Sequence, residues 1–148
     1  MKLIKISLLK FLLCLFEILY CFPILVITFS SRFSFRRFDI GLGPIPMINN
    51  VYHKRALEAY GYKVETFVSK LFFITDEFDK KFIFQNNFLH SLFIRVLHLD
   101  YLYSIFSHKC LYIYFNGGCL QSSVFLWRLE PYLLDIAGIK TVVMPYGG

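Results

Sequence analysis

The run FDIGLGPIPMINNVYH, residues 38–53, decides the fold. Phe38-Asp39-Ile40-Gly41-Leu42-Gly43 is a short apolar strand that runs into a glycine and proline loop over 41–46. Asn49 or Asn50 then offers a side-chain oxygen to cap a helix over 51–60. Val51, Ala56, Leu57 and Tyr60 can line its buried face, and Gly61 stands at the C′ stop. Strand, loop, helix is the opening of an α/β domain.

Downstream, YKVETFV over 62–68 alternates Tyr62, Val64, Thr66 and Val68 with Lys63, Glu65 and Phe67, which predicts a second strand, with a further extended piece at 71–75. Two strands joined by a helix imply a parallel crossover. A long helix is expected from Asn86 or Asn87 to Ser107, with Leu89, Leu92, Val96, Leu99, Leu102 and Phe106 at helical spacing and Arg95 and His98 on its polar side. On this reading His90, His98 and His108 are histidines at the margin of an amphipathic helix, not metal ligands. LYIYF over 111–115 is a strand ending in Asn116-Gly117-Gly118. Ser122 or Ser123 caps a helix to Leu129, Pro131 opens a short helix to Ala137 that Gly138 stops, and Lys140 to Met144 form a strand ending in Pro145-Tyr146-Gly147-Gly148. The alternation predicts a Rossmann-like open parallel sheet, whose ligands bind beyond the carboxyl ends of the strands. Three glycine-containing loops, 41–46, 116–118 and 145–148, fall at that edge, where glycine lets backbone N–H groups approach a ligand.

Upstream, FLLCLFEILYCFPILVITF over 11–29 carries one charge, Glu17, and is close to the ~20 apolar residues that cross a bilayer. Residues 1–31 are therefore expected to form an apolar, membrane-associating helical segment, and 32–148 the folded domain. Lys10, Cys14, Glu17 and Cys21 align as one narrow polar stripe, which suits a helix lying in the interface or docked on protein, while Pro23 is expected to break or kink it near 21–22. A span, an in-plane helix and a buried helix all remain open at this point. Apolar residues make up 57% and charged residues 18% of the 148, against about 45–50% and about 25% in ordinary domains, which excludes disorder. The net charge of +6 is spread along the chain, with small groups at Lys2/Lys5/Lys10 and Arg32/Arg36/Arg37. That arrangement fits a membrane surface and not nucleic acid. Cys14, Cys21, Cys110 and Cys119 form no CxxC pair, so neither a zinc site nor a disulfide framework is expected.

The chain has no GxxxxGK[ST], HExxH or GxSxG motif. Gly41-Leu-Gly43-Pro-Ile-Pro46 begins like GxGxxG but has proline at its third position. Glu65, some twenty residues on, keeps a dinucleotide enzyme as the runner-up. His53 stands just inside the helix after the loop, where the positive helix end lowers imidazole basicity and favours anions; it is the candidate catalytic residue. Asp76, Glu77 and Asp79, between Thr75 and Lys80-Lys81, read as a solvated turn more than an acid and base pair.

Asp39 to His53, followed by Ala56-Leu57 and Gly61-Tyr62-Lys63-Val64, resembles the opening of the N-terminal domain of GT-B-fold glycosyltransferases, of the family-four-like kind that serve surface polysaccharide assembly. Tyr114-Phe-Asn-Gly-Gly118 and Gly138-Ile-Lys-Thr-Val-Val-Met-Pro-Tyr-Gly-Gly148 are similar to that family's middle strand and loop and to a strand near its acceptor cleft, with Tyr146 where many relatives carry histidine. The resemblance implies sugar transfer from a nucleotide-sugar donor to a glycan or lipid-linked acceptor at the cytoplasmic face of the plasma membrane. It implies acceptor-side binding, for which Gly41, Gly43, Pro44, Asn50, Asn116, Gly117, Gly118, Tyr146, Gly147 and Gly148 are the candidates; the family's motif transfers no catalytic base, so His53 is the catalytic candidate by its place in the helix alone, and no metal or other cofactor is expected. The donor-binding domain of that family is not in this sequence, so an incomplete domain, inactive without such a partner, is expected. The alternative from another class is a non-catalytic small membrane protein or subunit.

Overall fold

A computed structural model describes residues 2–69, 77–82, 96–115 and 117–145, with the backbone alone for 2–10 and 12. Five parallel strands form one open sheet: β1 (Phe38–Leu42), β2 (Val64–Val68), β3 (Lys80–Lys81), β4 (His108–Tyr114) and β5 (Lys140–Met144), in the order β3-β2-β1-β4-β5. This is the expected α/β architecture with a Rossmann-like strand order. Helices α1 (Lys2–Ser31), α2 (Ile48–Ala59), α3 (Leu99–Ser107) and α4 (Glu130–Ala137) complete it. One face of the sheet packs Ile40, Leu42 and Val64 against Leu57 of α2. The other packs Phe67 and Leu111 with Ile24 of α1, Tyr101 and Ile105 of α3, and Leu133, Leu134 and Ala137 of α4.

Burial on both faces explains β2. Its five residues are all buried, so the polar and apolar alternation of its sequence does not mark a solvent face. Thr66 binds Asp79, whose Oδ2 accepts from the Thr66 amide and hydroxyl at 2.8 Å each, while Lys54 Nζ lies 2.5 Å from Oδ1. Burial opposes ionisation of Asp79, but these bonds outweigh it and hold the carboxyl below its usual range. The expected solvated turn is therefore the entry to β3. Asp76 and the extended piece at 71–75 lie outside the described residues.

Several expected boundaries are corrected. The α2 helix starts at Ile48 behind Met47, so Asn49 and Asn50 are inside it and neither caps it. Val51 is buried and Leu57 half-buried, but Ala56 and Tyr60 face solvent, because only one edge of this helix meets β1 and β2. Gly61, at φ +86°, ends the helix as expected. The predicted helix over 86–107 is, within the described residues, interrupted at His98, which is left-handed (φ 48°) and 3% exposed. His98 is thus in the interior and not on a polar side; His90 and Arg95 lie outside the described residues. His108 is also no helix margin: it opens β4, fully buried. In place of the expected helix over 122–129 stands one 3-10 turn, Leu126–Arg128. Pro131 in the first turn of α4 and Gly138 at its left-handed stop (φ 72°) agree with the sequence.

The α1 helix runs through Pro23 without ending. Its continuity comes from docking on its far side, where Glu17, Ile24, Thr28 and Ser31 are buried. Thr28 Oγ1 bonds the Tyr101 hydroxyl at 2.9 Å, and Tyr20 donates to the Leu97 carbonyl at 3.1 Å. Glu17 supplies the firmest tie, since its carboxylate accepts from the amides of Val124 and Phe125 at 2.7 Å each and of Leu126 at 3.3 Å. An acid from α1 thereby caps the N-terminus of the 3-10 turn. Beyond the helix, the Arg36 guanidinium donates to carbonyls at the ends of α3 and α4: Ile105 at 3.1 Å, Gly138 at 3.2 Å, and Ala137.

Candidate functional site

The carboxyl ends of β1 and β4 meet where the strand order reverses, with α2 on one face of the sheet and α3 and α4 on the other. In open parallel sheets ligands bind beyond the carboxyl ends of the strands at such a switch point. The loop after β1 is rigidly held. The Gly43 amide donates to the Tyr112 carbonyl at 3.3 Å, the Ser69 amide to the Pro44 carbonyl at 3.2 Å, and the Asn50 Nδ2 to the Ile45 carbonyl at 3.0 Å. The Gly43-Pro44 peptide is cis. Asn50 is fully buried, and its Oδ1 has no hydrogen-bond partner among the described residues. An orphaned buried acceptor costs about 1–3 kcal/mol, which the Nδ2 bond to Ile45 offsets in part.

The two glycines of this loop are dictated from inside the protein. A Cβ on Gly41 would lie 2.7 Å from the His108 ring, and one on Gly43 would lie 2.2 Å from the Phe67 carbonyl oxygen. The loop after β4 is shaped by Glu130 at the start of α4. Its Oε1 accepts from the Cys119 amide at 2.6 Å and its Oε2 from the Leu120 amide at 3.0 Å, and a Cβ on Gly118 would fall 2.2 Å from Oε1.

Two buried acids therefore stand at this edge, neither expected from the sequence. Burial pushes Glu130 up to about 7, opposed by the Leu120 and Cys119 amides and helped by the charge of nearby Asp100. Burial likewise raises Asp100 to about 6, against hydrogen bonds from the Ser69 hydroxyl at 3.0 Å and the Tyr101 amide at 2.9 Å. Cys119 Sγ lies 3.5 Å from Ser104 Oγ, and burial, with Asp100 and Glu130 close by, raises its thiol. The sequence did hold signals for both acids: Asp100 is the one acid in an apolar helix, and Glu130 precedes Pro131 shortly after a double glycine.

An open cavity of 1230 Å³ lies between α4 and the β4–β5 side of the sheet, bordered by Ile113, Gly117, Gly118, Glu130, Asp135 and Thr141 among others. It brings together Gly117, Gly118 and Glu130, but not Gly41, Gly43, Pro44, Asn50 or His53. His53 is the sixth residue of α2, because the helix starts three residues earlier than expected. It is exposed and beyond the first turn, where free N–H groups cluster. Asn116, Tyr146, Gly147 and Gly148 lie outside the described residues. No group of three or more potential metal-ligating side chains occurs among the described residues.

Glu65, the runner-up's ribose contact, is engaged elsewhere. His108 Nε2 lies 2.9 Å from its Oε2, and the Tyr103 hydroxyl donates to both oxygens at 2.8 and 2.9 Å. Burial, then Glu65, pushes Tyr103 up to about 12. This buried network engages both oxygens of Glu65, which is therefore not a free ribose contact. Comparison with models of known families, with curated proteins and with solved structures finds no match to this chain.

Proposed function

We propose that the chain is the acceptor-side, N-terminal part of a membrane-associated glycosyltransferase. It would move a sugar from a nucleotide-sugar donor to a glycan or lipid-linked acceptor at the cytoplasmic face, in surface polysaccharide synthesis. The observation that supports this reading is the five-stranded parallel sheet whose β1/β4 switch point, where ligands bind in open sheets of this kind, is bordered by the Gly43–Asn50 loop and by the loop that Glu130 holds. Transfer needs an acceptor hydroxyl whose oxygen attacks the anomeric carbon as the bond to the donor diphosphate breaks, with the hydroxyl proton passing to a base.

The chain's own groups suit the acceptor half of that step. Asn50, buried beneath the loop, would hold its backbone in place through the Ile45 carbonyl, and N–H groups of the α2 N-terminus would offset nearby phosphate charge. Glu130, with its carboxyl near 7, is partly ionised at neutral pH and borders the cavity. His53 would orient or deprotonate a hydroxyl projecting past the first turn of α2. Grip on the nucleotide belongs, in this reading, to a donor-binding domain outside these residues.

The test uses membranes carrying the native gene product, supplied with radiolabelled nucleotide-sugars. Label passing into the lipid or polysaccharide fraction, lost by more than about tenfold in His53→Ala, is expected. Unchanged turnover in that variant takes His53 out of the mechanism and leaves Glu130 as the base. No incorporation above membranes lacking the product rejects the transferase and favours the non-catalytic membrane subunit, which the exposed apolar face of α1 also suits.

A further inference from the structure

We infer that α1 lies in the plane of a bilayer surface and does not cross it, so that the domain rests on anionic lipid through one long apolar flank. This deepens the membrane part of the reading above and is independent of the sugar chemistry. By length and composition alone, residues Leu13–Ser31 could span a membrane. Their attachment decides otherwise. Glu17 is tied to the amides at 124–126, Tyr20 to Leu97 and Thr28 to Tyr101, and Ile24 and Ser31 are buried against the domain. From Glu17 onward the helix therefore runs along a folded body that carries charged residues on its surface. Before Glu17 the apolar run is interrupted by Lys10, so at 1.5 Å per residue its uncharged stretch 11–16 covers only about 9 Å of the ~30 Å hydrocarbon core. A span would have to drag that body into the hydrocarbon.

The side of α1 turned away from the domain is built for lipid. Phe11 (59%), Ile18 (56%), Leu19 (78%), Phe22 (75%), Val26 (46%) and Phe29 (52%) are exposed, and they lie on the helix opposite to Glu17, Ile24 and Thr28. Phe33 (76%) and Phe35 (93%) carry apolar surface past the end of the helix. A contiguous apolar strip of this size does not face water in an isolated soluble domain. Charge names the occupant. Lys2, Lys5 and Lys10 lie at one end and exposed Arg32 and Arg37 at the other, while Glu17, the one acid of the helix, is turned into the protein. An apolar strip with basic ends and no outward acid matches an anionic lipid surface, where each juxtamembrane cation adds attraction that salt screens.

The experiment uses the full chain and its single tryptophan. In a Trp127→Phe background, tryptophan is placed singly at Phe11, Leu19 or Phe29, and the protein is mixed with phosphatidylglycerol/phosphatidylcholine vesicles containing lipids brominated at shallow or deep acyl positions. Quenching by shallow bromines to the same extent at all three positions is expected, with binding at least about tenfold weaker on pure phosphatidylcholine. Ile24→Trp, on the docked side, should escape quenching; where that variant fails to fold, the other three still decide. Deep quenching at Leu19 with shallow quenching at Phe11 and Phe29 would establish a span and overturn the inference. So would equal binding to both vesicle types, or no quenching at all. None of these three outcomes touches the sugar-transfer test.

Discussion

Replacing Glu17 by alanine strips the caps from three backbone N–H groups that are 107 to 109 residues distant in sequence. A hydrogen bond to a charged group contributes about 1.5–3 kcal/mol, and two of these are short, at 2.7 Å, while the third is long, at 3.3 Å. Val124 and Phe125 are 41% and 37% exposed, so water recovers part of the loss. The expected cost is about 3 kcal/mol. For a domain of this size each kcal/mol moves Tm by about 2–4 °C, which gives a fall of about 6–12 °C, read by circular dichroism in detergent. Glu17→Gln keeps one acceptor and should fall about half as far. Hydrogen exchange should speed up at the amides of 124–126 first, because the cap and not the core is lost. A Tm within about 2 °C of the wild type, with unchanged exchange there, would refute the tie between α1 and the turn.

Further outcomes follow from the two raised acids and the glycines. Glu130 and Asp100 keep their protons in the folded state at pH values where the unfolded chain has released them. Stability is therefore full below the ordinary carboxylate range and falls as pH rises toward about 7. Tm should be higher near pH 5 than near pH 8, and Glu130→Gln should flatten that slope; a slope unchanged in the variant would show that Glu130 does not carry it. Gly43→Ala forces a Cβ against the Phe67 carbonyl and should cost about 3 kcal/mol, whereas Gly61→Ala meets open space at φ +86° and should cost about 1 kcal/mol, as measured by urea unfolding. Equal losses would contradict the close approach of β1 to β2. His53→Ala, at an exposed position, should leave Tm within about 1 °C whatever it does to turnover.

Local signals in the sequence carried well where one element decides itself. The apolar strands at 38–42 and 140–144, Gly61 and Gly138 at helix ends, and Pro131 in a first turn all stand where expected, because backbone conformation at those residues is set by near neighbours. What the sequence hid depends on partners far along the chain. Glu17 looked like part of a faint polar stripe, and nothing near it announced that amides more than 100 residues on would enclose it. His108 read as the edge of a helix until Glu65, 43 residues earlier, met its ring across the sheet. The glycines at 41 and 43 resembled a ligand loop, yet each is first required by a neighbouring side chain or strand. Glu130 and Asp100 were legible only as isolated acids among apolar residues. That the two lie close to each other appears only once the fold brings the first turns of α3 and α4 together.

The proposed transferase binds its saccharide acceptor at the carboxyl edge of the sheet, beside the loops that follow β1 and β4. The most direct measurement is hydrogen exchange of the full chain in detergent, with and without a polyprenyl-diphosphate-linked N-acetylglucosamine. Protection confined to residues 43–50 and 117–120, with none produced by the matching nucleotide-sugar, is predicted. Absence of protection, or protection by the nucleotide-sugar alone, would contradict it.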